Sequence, residues 1–266
     1  MDRPPFGELL RAWRTARKLS QLDMAETAGV SARHLSYLET GRSNPSRDMV
    51  LLLCDVLDVP LRQRNALLDA AGFASRYRET DLMALEMAPV RRSLEFLLAR
   101  HEPYPAIVCD GRWEVRLANQ AARRVFSAFV SGLSAPLNVV RLFFSDGDRG
   151  MRRYITNFDE CGAILVQRLH REALASGGGS EARALLDDVL ASGLPGDWKV
   201  PDLGATAAPI LPIHLKKDDL ELRLFSALTT LGTPIDVTAQ ECRLETFFPA
   251  DAETDERLRR MSAAPS

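Results

Sequence analysis

Ser31, Ala32, Arg33, Ser36 and Tyr37 fall at spacings that put them on one side of a helix. The chemistry they offer is non-covalent: a guanidinium fork, two hydroxyls, a phenol and a methyl group. Such a set suits the edges of base pairs, where the fork of Arg33 matches the two acceptors of guanine and a methyl group can meet thymine. The same guanidinium can equally take a phosphate, and a small residue at Ala32 can simply permit close approach. On the other side of the helix, Leu35 and Leu38 recur three apart and face a core. Upstream, Leu22, Met24 and Ala25 begin a helix that ends at Ala28. Gly29 supplies the turn, with a positive φ that only glycine adopts cheaply. Val30 then points inward, and Ser31 caps the next helix by accepting a backbone N–H. Helix, glycine turn and capped helix within residues 20–46 read as a helix-turn-helix whose second helix enters the major groove. An ordinary αα-hairpin in a helical core is the competing reading.

Residues 6–72 resemble the xenobiotic-response-element (Xre) family. The resemblance rests on Arg14, Ser20-Gln21, Ala25, Gly29-Val30-Ser31, Leu35, Leu38-Glu39, Gly41 and Asn44-Pro45-Ser46. It implies a five-helix domain. It also implies that Gln21 bonds a phosphate and braces the recognition helix, and that Arg14 and Glu39 form an internal salt bridge and are mainly structural. Arg42, Ser43 and Asn44 lie just past the recognition helix, where they would hold the DNA backbone and position the domain rather than read sequence. His34 reads as a solvated surface residue in preference to a phosphate contact.

The elements that must carry these residues fit a chain of 266 residues, long enough for two domains. The charge is divided. Residues 1–78 hold 12 Lys+Arg and 9 Asp+Glu, a net of +3, which leaves −5 on the remainder of a chain whose total is −2. A modestly basic head on an acidic body suits nucleic-acid binding by the head alone. No apolar run approaches the roughly 18 residues of a membrane span, and the first residues lack the apolar core of a signal peptide. The expected location is the cytoplasm. Cys54, Cys109, Cys161 and Cys242 are scattered among apolar residues without a C-x-x-C, so reduced buried thiols are expected. The four histidines show no metal-ligand spacing, and no metal is expected.

Along the chain, helices are expected at Phe6–Arg17, Asp48–Leu57 and 61–71, the last stopped by Gly72. The head is therefore placed at 1–74. Residues 75–102 form a partly helical connector, with Leu82, Leu85 and Met87 able to pack on the body or on a partner and Leu94, Leu97 and Leu98 on one helix face. From Pro103 two short strands flank a turn at Asp110-Gly111, and Asn119 caps a helix. LNVVRLFF at 137–144 packs as a short apolar segment. Helices follow at about 151–175 and 181–192, separated by a glycine-rich loop at 176–180. Strands at 210–216, 220–231 and 242–248 close the domain at 250, and 251–266 reads as a charged, frayed tail. Two strands, several helices and three strands fit an antiparallel sheet with helices on one side. The fold class is thus an all-α helix-turn-helix domain followed by an α+β domain of PAS-like order.

Residues 103–250 resemble the ligand-binding domain of MmyB-like transcription regulators. The resemblance rests on PAIVCDGRWEVRLANQAARRVF, NVVRLFF and LFSALTTLGTPIDVTAQECRLETFFPAD. Where that family has Trp-Asn at the helix start, this chain has Ala118-Asn119, a departure at the pocket edge. The resemblance implies a PAS-like fold with an apolar cavity able to hold a fatty-acid-like molecule; another apolar ligand is also possible, and no cofactor is expected. Val108, Leu117, Phe126, Phe144, Phe158, Leu165, Leu169, Leu224 and Phe247 are the candidate lining; each is first a core residue, and as a group they can enclose a site between sheet and helices. Thr229 and Thr230 offer a polar anchor or merely suit a strand. His214 alternates with Pro212 and Lys216 and is expected to face solvent. No nucleophile–base pair, H-E-x-x-H or phosphate-binding glycine motif is present, so catalysis is not expected. The reading is a DNA-binding transcription regulator, by default a repressor, acting as a homodimer on a double-stranded operator and sensing an apolar small molecule. The alternative is a constitutive regulator whose second domain serves only dimerisation or protein interaction.

Overall fold

The computed structural model describes residues 5–175, 180–193, 198, 210 and 212–263. The chain divides into two compact units. The first holds residues 1–79 together with 171–183 and 233–240; the second holds 80–170, 184–232 and 241–266.

The first unit is built on five helices: α1 (Phe6–Ala16), α2 (Gln21–Ala28), α3 (Ala32–Glu39), α4 (Arg47–Val56) and α5 (Leu61–Ala70). Their ends are set by local chemistry. Ser20, Ser31 and Ser46 each accept a backbone N–H at the start of a helix. Gly29 sits at φ 66° in the turn between α2 and α3, where a Cβ would be strained. The core gathers Phe6, Leu10, Trp13, Met24, Leu35, Leu38, Val50, Leu53 and Leu68 from all five helices. Gly7 lets α1 approach the end of α3: a Cβ there would lie 2.5 Å from the Glu39 carbonyl oxygen and 2.6 Å from that of Leu38.

The second unit carries a five-stranded antiparallel sheet: β1 (Ala106–Cys109), β2 (Val115–Ala118), β3 (Ile213–Lys217), β4 (Leu220–Thr230) and β5 (Arg243–Pro249), in the order β2-β1-β5-β4-β3. It holds helices α6 (Ala88–Arg100), α7 (Gln120–Phe129), α8 (Val139–Phe144) and α12 (Ala252–Ala263) and most of α9 (Phe158–Ala175) and α10 (Ser180–Ala191), whereas residues 237–240 of α11 (Val237–Glu241) belong to the first unit. Asn119 caps α7 and also accepts from the backbone of Ala106, tying the helix to β1. Residues facing each other across antiparallel strands share a face. The register pairs Glu245 with Ile107 and Leu228, and Phe247 with Ser226, so these lie on one face. Val108, Leu117 and Leu244 lie on the other.

Several expectations need correction. Residues 252–263 are helix α12 rather than a frayed tail; Thr254 and Leu258 are buried, and Tyr104 donates to Asp255 at 2.6 Å. The segment 137–144 contains helix α8. The helix expected from 151 begins only at Phe158, preceded by a 3₁₀ turn at Arg152–Tyr154. Residues 237–241 are helical, held where the Val237 N–H donates to the Arg78 carbonyl. The hairpin after β1 is wider than a two-residue turn: Asp110 accepts from the backbone of Arg112 and Glu114, and the left-handed conformation falls on Trp113, not Gly111. Leu97 and Leu85 are exposed, whereas Leu82, Met87, Leu94 and Leu98 are buried. Helices also cover both faces of the sheet, since His101 at the end of α6 packs edge-on against Phe248 of the face opposite Phe247. The glycine-rich stretch 176–179 lies outside the described residues.

Because Gly7 meets backbone rather than a yielding side chain, Gly7→Ala is expected to destabilise the chain by about 1–3 kcal/mol. Urea denaturation of the full chain reads this directly. A midpoint equal to that of the wild type would show that α1 and α3 need no such approach.

Candidate nucleic-acid interface and ligand cavity

Glu39, the last residue of α3, has its side chain only 2% exposed. Arg14 of α1 reaches it through a fork, Nε to Oε1 at 2.6 Å and Nη2 to Oε2 at 3.0 Å. Gln21, the first residue of α2, donates to Oε2 at 2.7 Å. Burial alone would raise the Glu39 carboxyl, but the bonds from Arg14 and Gln21 and the charges of Arg14 and Arg11 outweigh it and hold the carboxyl below its ordinary value. The roll of α3 is fixed by this triple attachment.

Leu35 and Leu38 then point inward, fully buried, and the other side of α3 faces out. Ser31 and Arg33 are exposed; Ala32, His34, Ser36 and Tyr37 are partly so. Arg33 donates from Nε to the Tyr37 hydroxyl at 2.9 Å, and the guanidinium carbons of Arg33 and Arg42 lie 5.3 and 5.9 Å from the Tyr37 ring centre. Tyr37 thus gathers two cations on one surface. The backbone N–H groups of Arg42 and Ser43 both donate to the Tyr37 carbonyl, which folds the loop carrying Arg42, Ser43 and Asn44 back onto the helix end.

In the second unit a cavity of about 310 Å³ lies between the sheet and helices α7, α8 and α9. That volume is at the lower end of small-molecule sites. Phe126, Leu165, Leu224 and Phe247 are on its wall. Val108, Leu117, Phe144, Phe158 and Leu169 are not. Val108 and Leu117 belong to the opposite sheet face. Phe144 and Phe158 pack edge-on at 5.6 Å behind Phe143, which takes the wall position. Leu169 is buried one step round α9 from the cavity face formed by Cys161, Ile164, Leu165 and Arg168. Thr229 and Thr230 are exposed and off the wall, and His214 lies on the sheet face away from Ile213 and Leu215. The polar wall residues are instead Ser226, Glu245 and Arg168, beside Trp113. One signal pointed to them: in CRLETFF, strand alternation sets Arg243 and Glu245 on the same face as Phe247.

All four cysteines are buried and none is in a disulfide. Burial pushes the thiols of Cys54 and Cys161 up to about 12, so neither is poised as a nucleophile. Among the described residues there is no group of three His, Cys, Asp or Glu side chains able to hold a metal, and no helix is long and apolar enough to cross a membrane.

Residues 90–261 match the family model for the MmyB-like transcription regulator ligand binding domain. The chain belongs to this family. Residues 5–67 of the regulator match a helix-turn-helix domain model. It is therefore a transcription regulator with a helix-turn-helix DNA-binding domain and a ligand-binding domain, and neither matched domain is catalytic. The five-stranded antiparallel sheet and the helices of its second unit form an α+β domain. No curated protein matches it. A solved structure titled "Structure of an RNA-binding Light-Oxygen-Voltage Receptor" is similar at 12% identity and a TM-score of 0.26. That match covers 97% of the regulator but 63% of the other chain, so the regulator spans less than two thirds of that protein's length.

Arg14→Ala would leave a buried carboxylate with only the Gln21 hydrogen bond and the charge of Arg11, and is expected to cost about 3 kcal/mol. The Glu39 carboxyl is lowered in the folded state, so its contribution is present above its ordinary value of 4.5 and is lost as pH falls through the lower folded value. In Glu39→Gln the acid loss of stability should flatten and Arg14→Ala should cost less. Equal costs of Arg14→Ala in both backgrounds, read by urea denaturation, would show that the pair is not coupled.

Proposed function

We propose that the chain is an Xre-type regulator that binds a double-stranded operator as a homodimer in the cytoplasm and represses transcription, with an apolar small molecule such as a fatty acid as its signal. The head is placed within 1–74, the connector at 75–102 and the sensing domain from 103, with α12 now part of that domain. The observation that carries the sensing half is the apolar cavity: a domain serving only dimerisation or protein interaction would fill that space with side chains. The DNA half is supported by the outward side of α3. There Arg33 is proposed to read guanine, with Ala32, Ser36 and Tyr37 beside it. Gln21, Ser31, Arg42, Ser43 and Asn44 are proposed to hold phosphates.

A route from cavity to head is built into the chain order. Residues 233–240 belong to the helical unit, where the Gln240 side chain accepts from the Leu61 N–H at the start of α5 at 2.7 Å. The same residues join β4 to β5, the strands that carry Ser226 and Glu245. We propose that ligand occupancy changes the strain on this joining segment and so the operator affinity. Such a shift requires the ligand to bind the two states unequally.

Native mass spectrometry of the purified chain, followed by denaturation and analysis of the released molecules, tests the sensor. The expected result is a dimer carrying an apolar compound whose removal changes operator affinity. Bare protein mass, with operator affinity unmoved by added apolar amphiphiles of any head group, would favour a constitutive regulator. For the interface, Arg33→Ala is expected to weaken operator binding by about 1–3 kcal/mol and relax sequence preference. Arg42→Ala should weaken binding to all sequences and reduce the salt slope by about one. A uniform loss for Arg33→Ala would make it a phosphate contact, and an unchanged slope for Arg42→Ala would remove it from the DNA backbone. Both are read by fluorescence anisotropy over a salt series.

A further inference from the structure

The polar groups of the cavity are few and close together. Glu245 of β5 and Ser226 of β4 share the cavity face, and the Ser226 hydroxyl donates to Glu245 Oε1 at 2.8 Å. Helix α9 brings Arg168 to the same wall, near enough for its charge to act on Glu245. Trp113 lies between two cations: the guanidinium carbons of Arg168 and Arg243 are 4.5 and 4.7 Å from its ring centre. Apart from the sulfur atoms of Cys161 and Met151, the rest of the described lining is hydrocarbon and aromatic.

We infer that the cavity takes an alkyl amphiphile with an uncharged head that both accepts and donates hydrogen bonds, a carboxamide or an alcohol, and that Glu245 discriminates against a free carboxylate. This rests on the sensing reading above and replaces its fatty-acid example with a different head. A carboxamide carbonyl accepts from Arg168 while its N–H donates to Glu245. A carboxylate satisfies Arg168 but sets like charges together wherever Glu245 is ionised. An ammonium head satisfies Glu245 but meets Arg168. An ester accepts but cannot donate, and leaves a Glu245 oxygen without the donor it would otherwise gain.

The protonation of Glu245 gives the inference a second handle. Burial pushes its carboxyl above the ordinary value, against the opposing pull of the Ser226 hydroxyl and the charges of Arg168 and Arg243. Its other titratable neighbour is Cys109 of β1, whose thiol burial pushes far up and keeps neutral. As pH falls, Glu245 takes a proton, becomes a donor and ceases to repel a carboxylate. Discrimination should therefore be widest on the alkaline side and narrow with acid.

The test uses the full chain and four probes of one chain length: decanamide, decanol, decanoate and methyl decanoate, titrated by calorimetry near pH 8 and near pH 5.5. Decanamide and decanol should bind at least about tenfold more tightly than decanoate and methyl decanoate near pH 8. The decanamide-to-decanoate ratio should shrink at the lower pH. In Glu245→Gln, decanoate should gain about tenfold while decanamide changes little. Decanoate binding as tightly as decanamide in the wild type near pH 8 would overturn the inference without using any variant, and so would a ratio untouched by Glu245→Gln. Tight binding of decanoate or the ester alone would overturn the head assignment and leave the sensor standing. Failure of all four probes would bring down the sensing reading as well.

Discussion

The first unit turns on one buried carboxylate. Apolar burial is non-directional, so Phe6, Leu10, Met24, Leu35 and Leu38 can hold α1, α2 and α3 together without fixing how α3 is rolled. Glu39 adds direction, because a guanidinium fork from α1 and an amide from α2 both require its two oxygens in defined places. Burying a charge pair brings little net stability against well-packed hydrocarbon. Its value here lies in geometry: a roll of α3 by one residue would turn Leu35 outward and take Arg33 and Ser36 off the exposed side. Gly7 serves the same end, since only a residue without Cβ lets α1 lie against the carbonyls of Leu38 and Glu39.

In the second unit the central strand has the comparable part. β5 is hydrogen-bonded on both sides, to β1 and to β4, so its register is strongly specified and its alternation is carried into its neighbours. That alternation sends Glu245 and Phe247 to the cavity and Leu244 to the opposite side. It also explains how a carboxyl can be kept in an apolar volume. Ser226 stands directly across from Phe247, two pairs along from Glu245 on the same face, close enough for its hydroxyl to supply a hydrogen bond.

Legibility in the sequence followed the range of the forces involved. The helix-turn-helix was readable because its determinants are local: serine caps, a positive-φ glycine and leucines three apart all act within a turn or two. The strands were readable by alternation. Two helices were missed for opposite reasons. GTPIDVTAQ is rich in β-branched residues and breakers, and its short helix is held by contacts from Val237 and Gln240 to distant backbone. The last helix, α12, buries little apart from Thr254 and Leu258 and is otherwise dressed in pairs four apart, Glu253 with Arg257 and Asp255 with Arg259, a composition that resembles a solvated tail. The cavity wall was the least legible part. Val108 and Phe247 are equally apolar, and only the strand register decides which of them meets the cavity.

The cavity itself carries an energetic argument. Apolar space left unfilled by side chains forfeits packing contacts, and the cavity between sheet and helices leaves about 310 Å³ of it. Larger side chains on the wall would recover those contacts, so an occupant that restores them fits the reading proposed above. An occupant that binds only the folded cavity stabilises it in proportion to the logarithm of its concentration. Under the function proposed above, the packing of the domain, and through residues 233–240 the attachment of α5, would depend on how much ligand is present. Sensing and folding stability are in that case one property of the cavity, and the polar groups on its wall decide which molecules are able to change it.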